Sequence, residues 1–154
     1  MNPEAVFECM RSGLIGMSLS LLWRGYGSAI FLEFGELTPN GKRRSGSDRN
    51  SIGEFSIGIQ WSWRIENELS IVCGSWCEEN EWDQAFDLIR NTHLSALTTY
   101  SRLPELDLEF NNKHHLPSFN TSDGQPDWFI IDRRSKEPIT LMVDNGQLEI
   151  EKKK

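Results

Sequence analysis

Cys73 and Cys77 stand four residues apart, and His93, His114 and His115 follow them, so on ligand type alone the chain holds the donors of a zinc site. The spacing is not that of a zinc finger. Cys73 closes an apolar alternation and faces the expected core, and the three imidazoles come from two separate segments. A thiol nucleophile with a histidine base could be drawn from the same residues. Only Cys77 lies beside a helix start, however, and Glu78, Glu79 and Glu81 disfavour a thiolate there. Glu36, Glu54, Glu66 and Glu68 place carboxylates at strand ends, the residue type that glycosidases pair and also the ordinary solubilising choice. The segments SGLIG (12–16) and GYGSA (25–29) lack the lysine and the following helix that a phosphate cradle needs. The expectation is a protein without catalytic residues, metal or cofactor.

Two charged surfaces remain as candidates for binding. The segment 75–92 sets five carboxylates (Glu78, Glu79, Glu81, Asp83 and Asp87) against Arg90, and a second acidic row, Glu105, Asp107 and Glu109, lies along a strand edge. Trp76 lies outside both neighbouring periodic segments, which marks it as a contact residue rather than core. The opposite charge is concentrated at 38–51, TPNGKRRSGSDRNS, where Lys42, Arg43, Arg44 and Arg49 face only Asp48. With almost no apolar side chain, this segment reads as a flexible basic loop, able to steer an acidic partner or a phosphate backbone without specifying it.

The elements that must position these groups are mostly strands. Phe55, Ile57, Ile59, Trp61, Trp63 and Ile65 occupy every second position, alternating with Ser56, Gly58, Gln60, Ser62 and Arg64, which is the pattern of a strand with one buried face. The alternation resumes at Leu69, Ile71 and Cys73, so a hairpin turns at Asn67. The period then changes: Trp82, Ala85, Phe86 and Ile89 fall on one face of a helix over 78–91, with acids in its first turns and Arg90 in its last. Asn2 and Pro3 suit the start of a brief helix over 2–10. Strands are expected at 13–25, 28–36, 94–100, 106–110 and 128–132, with hairpins through the NNK turn at 111–113 and between 139–143 and 147–151. The last three lysines read as a frayed tail, 152–154.

A chain of 154 residues with 38% hydrophobic and 25% charged residues and six tryptophans has the composition of one folded domain, 1–154. The fold class expected is α+β, a mainly antiparallel, curved or barrel-like sheet of hairpins under one amphipathic helix. The net charge of −7 argues against nucleic acid or an anionic membrane as partner, the basic loop excepted. Three cysteines without the density of a disulfide scaffold suit a reducing cytoplasm. The apolar run 14–23 is too short to span a bilayer, and the acids before it do not fit a signal peptide.

The order of FLEFGEL (31–37), GEFSIGIQWSWRIE (53–66), IVCGS (71–75), the acidic helix and LDLEF (106–110) resembles small bacterial single-domain proteins of the immunity or accessory type, found in toxin and defence loci. The likeness spans about 31–119; the basic loop and the 139–151 hairpin depart from it. It implies a bacterial origin and an architecture, and no active site. The expected function is a non-enzymatic protein that binds another protein, a basic toxin or defence component, through its acidic surface. Two alternatives stay open: a small-ligand protein or enzyme with a cup lined by Trp61 and Trp63, and an inhibitor or subunit of a nucleic-acid machine using the basic loop.

Overall fold

The computed structural model describes residues 2–152; of the expected frayed tail, Lys153 and Lys154 lie outside that range. The chain opens with α1 (Pro3–Leu14), whose N-cap Asn2 accepts through Oδ1 from the amides of Glu4 (2.9 Å) and Ala5 (3.4 Å). Val6, Phe7, Met10 and Leu14 form its buried stripe. It therefore runs four residues past the brief helix expected, and the strand expected from residue 13 begins only at Leu19.

Six strands make the first sheet: β1 (Leu19–Arg24), β2 (Ile30–Phe34), β3 (Phe55–Ile59), then, after the elements of the second sheet, β9 (Trp128–Asp132), β10 (Ile139–Asp144) and β11 (Gln147–Ile150). Their spatial order is β1-β2-β3-β9-β10-β11, all pairs antiparallel. The second sheet holds β4 (Arg64–Glu66), β5 (Ile71–Gly74), β6 (Leu94–Tyr100), β7 (Glu105–Phe110) and β8 (His115–Pro117), in the order β5-β4-β8-β7-β6. Between β5 and β6 lies α2 (Glu79–Ile89), which buries Trp82, Ala85, Phe86 and Ile89 as its periodicity requires. The class is α+β, mainly antiparallel. Among the described residues there are two helices, the first longer than the brief one expected, and both sheets stay open rather than closing into a barrel. They meet at one corner, where Gly16 N–H donates to Leu94 O (2.8 Å) and Leu19 N–H to Thr92 O (2.8 Å).

The alternating stretch 55–65 does not form one strand. Phe55, Ile57 and Ile59 face the core from β3, the chain crosses at 60–63, and Ile65 faces it from β4 in the other sheet. Trp63, fully buried, packs edge-on against Trp82 at 5.1 Å between ring centroids, so the crossover is pinned beneath α2. Trp61 leaves the row and stays half-buried. In β1 a register shift between Leu19 and Leu21 changes the phase. Leu22 is buried, and Leu21 and Trp23, expected to face inward, lie half-buried on the other side.

Each hairpin turn has its own chemistry. Asn67 Oδ1 accepts from the amides of Leu69 and Ser70 (3.0 and 2.8 Å), and Asn145 and Gly146 both take positive φ, as a tight two-residue turn demands. The segment 38–51 folds as a small excursion closed by bridges Thr38 to Ile52 and Lys42 to Asp48.

Candidate functional site

Where the two sheets diverge at the crossover, four connections converge: the β1–β2 turn, the 60–62 crossover, the β5–α2 turn and the loop before β9. Together they line a cleft of about 720 Å³ whose walls are Tyr26, Phe31, Trp61, Trp76 and Trp82, with Glu79 and Pro126 at the margin. Tyr26 is completely exposed and Trp76 is 69% exposed, although rings of these types are on average largely buried in a folded chain. Trp76 meets Trp61 edge-on at 6.0 Å.

The hydroxyls of Ser28 and Ser75, the Gln60 amide and the Trp76 indole are already engaged in this cleft. Ser28 Oγ donates to Trp61 O (2.7 Å), Gln60 Nε2 to Asp127 O (2.8 Å) and Trp76 Nε1 to Ser62 Oγ (3.2 Å), and Ser75 Oγ accepts from Trp63 N (3.2 Å). They fix the connections in place and leave the rings as the available surface. Arg24 lies over the Trp82 ring at 4.4 Å and pairs with Glu79 at 2.7 Å. Glu78, Glu81 and Asp83 are exposed beside the cleft and have no ion pair among the described residues, whereas Asp87 is held by Arg90 at 2.6 Å. The indole N–H groups of Trp61 and Trp82 are buried without a hydrogen-bond partner among the described residues.

The other acidic row stands apart. Glu105, Asp107 and Glu109 project from the outer face of β7, opposite the buried Leu106, Leu108 and Phe110. Glu105 accepts from Ser118 Oγ (2.9 Å) and the Asn120 amide (2.5 Å). His115 is held between Asp107 (3.1 Å) and Glu109 (3.7 Å). Burial pushes the Asp107 carboxyl up, with His115 drawing it back. Burial also raises the Tyr100 phenol to about 12, reinforced by Glu105 and Asp107. Both ring nitrogens of His115 face carboxylates, and Asp107 also lines a depression with Arg64, Glu66, Tyr100 and Phe119. Among the described residues no hydrogen bond or ion pair links this row to the acids of α2.

The remaining candidates fall elsewhere. Trp63 is core and does not line the cleft, so the tryptophans of its wall are Trp61, Trp76 and Trp82. In the basic excursion Lys42 pairs with Asp48 (2.9 Å) and Arg43 donates to Asp48 O (2.5 Å), while Arg44 and Arg49 stand exposed without an ion pair among the described residues. Among the described residues no imidazole joins the thiols: His93 contacts Ser18 Oγ (3.1 Å) and His115 lies on β8. Instead, Glu81 brings a carboxylate to Cys73 and Cys77, the three ligand atoms lying within 4.8 Å of one another. Burial first, then the neighbouring Cys77, pushes the Cys73 thiol up to about 11. Sequence reasoning weighs only the imidazoles as partners for these thiols and expects no metal; the signal it misses is the regular interval of four from Cys73 to Cys77 to Glu81. It also misses Tyr26, an aromatic residue in a glycine-flanked turn.

Among the described residues no helix is long and apolar enough to cross a membrane. Comparison with protein-family models, with curated proteins and with solved structures found no match.

Proposed function

We propose that the protein is a non-enzymatic binding protein that receives a basic, apolar-anchored segment of another protein in the cleft of Tyr26, Trp61 and Trp76. The observation that carries this reading is the placement of two exposed aromatic rings, Tyr26 and Trp76, at the acid-rich start of α2. Tyr and Trp are the side chains that contribute most at protein interfaces, and a charged rim around such rings sets orientation and association rate. The engaged state of Ser28, Gln60 and Ser75 favours broad contact over recognition of a small polar metabolite, which needs converging free donors and acceptors. Three free thiols suit a reducing compartment. The likeness to bacterial immunity and accessory proteins suggests a toxin or defence component as the natural partner.

A displayed library of random peptides tests the reading whatever the identity of that partner. The wild-type protein should enrich peptides with Lys or Arg beside a bulky apolar residue. A Tyr26→Ala, Trp76→Ala double variant should lose that enrichment, and Glu79→Lys, Asp83→Lys, Asp87→Lys should slow association with a selected peptide about tenfold at low salt. Equal enrichment by the double variant, or peptides with no excess of basic residues, would reject it.

A further inference from the structure

We propose that Cys73, Cys77 and Glu81 form a site for a thiophilic divalent cation, Zn²⁺ in the first instance, which ties the end of β5 to the first turn of α2. The two Sγ atoms and a Glu81 carboxylate oxygen lie within 4.8 Å of one another. In a tetrahedral zinc site with bonds of about 2.0–2.3 Å, ligand atoms are about 3.3–3.8 Å apart, so an inward shift on the order of 1 Å at most closes the set. The three come from three pieces of backbone that the fold brings together: Cys73 from β5, Cys77 from the turn and Glu81 from the helix.

The turn itself is built in a manner that suits a ligand. Cys77 N–H donates to Gly74 O (3.0 Å), and the Gly74 amide donates back to Cys77 Sγ at 3.4 Å, an outer contact of the kind that orients a ligating atom. Cys73 is buried on the protein side, while Cys77 and Glu81 are exposed, so a cation would have a dry side and an open approach. Glu78 and Glu79 beside the turn add negative potential that draws cations toward it. Three protein donors leave a fourth position for water or for a group from outside. Gly74, Ser75 and Trp76 lie between the first two ligands, so the cation would also hold the turn that presents Trp76. The site stands on its own geometry, and its test reads metal rather than a protein partner.

The test is titration of the full chain, reduced and stripped of metal, with Co²⁺ in the absence of oxygen. We expect one equivalent to bind with a thiolate-to-cobalt charge-transfer band and visible bands of tetrahedral intensity, all removed by Zn²⁺. Cys77→Ser and Glu81→Gln change exposed side chains, so the fold is spared, and each should weaken Co²⁺ binding about tenfold or more. Zn²⁺ should also slow alkylation of Cys77 by iodoacetamide about tenfold while leaving Cys9, an exposed internal control, unchanged. No thiolate band at one equivalent, unchanged affinity in Cys77→Ser, or alkylation of Cys77 indifferent to Zn²⁺ would overturn the site. Unchanged affinity in Glu81→Gln would overturn its third ligand.

Discussion

Glu33, 1% exposed near the end of β2, is the one charged side chain fully buried among the described residues. Its carboxylate accepts from Ser56 Oγ, 2.8 Å from Oε2, and Arg133 reaches Ser56 Oγ at 2.6 Å and Glu33 Oε1 at 3.9 Å. Burial pushes the carboxyl above its ordinary value, with the Ser56 hydroxyl and then Arg133 drawing it back. Because the folded value exceeds the unfolded one, the folded state binds this proton more tightly. The stability it contributes is full below the unfolded value and is lost as pH rises through the folded one. Glu33→Gln has no such proton. Urea unfolding at about pH 4 to about pH 7 should therefore show the stability of the wild type, minus that of Glu33→Gln, falling as pH rises; a flat or rising difference would contradict a raised carboxyl. Nothing in IFLEF announces this arrangement. An acid between apolar residues reads as the outward position of a strand, and the guanidinium that covers it comes from a residue one hundred positions later. Trp76, by contrast, stands out because no periodic segment can absorb it.

At the level of strands and helices, local pattern determined most of what formed and little of where each segment ended. The helix α2, the strands β2, β6 and β7, and the turns at Asn67 and Asn145–Gly146 follow from spacing and turn chemistry. The apolar run 14–23 misled because Leu14 closes the stripe of α1 while Leu19 opens β1; one uninterrupted set of side chains serves two elements. The alternation over 55–65 misled differently, since it is correct on both sides of a crossover it cannot reveal. Gly58 shows how closely the strands then pack: a Cβ there would come 2.2 Å from the ring of Phe129, its cross-strand partner. Gly58→Ala should cost about 1–3 kcal/mol in urea unfolding, and about nothing in a Phe129→Ala background, where the ring is gone. An Ala at 58 that is neutral in the wild-type background would show that the ring is free to move aside.

Strand order, the division into two sheets and the cleft at their divergence belong to the whole chain. None has a local sequence signal, because each depends on contacts between residues tens of positions apart: Ser28 with Trp61, Trp63 with Trp82, β3 with β9. Tyr26, Trp61 and Trp76 lie in three connections that no periodicity joins, so the candidate site could be read only in part, as Trp76 beside an acidic helix and as Trp61 in an alternative tryptophan-lined cup. The net charge of −7 favours basic partners in general, and in the proposed reading the exposed rings are where such a partner would dock. The indole N–H signals of the six tryptophans locate that place in one heteronuclear NMR titration with a selected lysine-rich peptide. The signals of Trp61 and Trp76 should shift progressively while those of the core residues Trp63 and Trp128 stay in place. Trp61 and Trp76 signals that stay in place at saturating peptide would contradict the cleft as the binding surface.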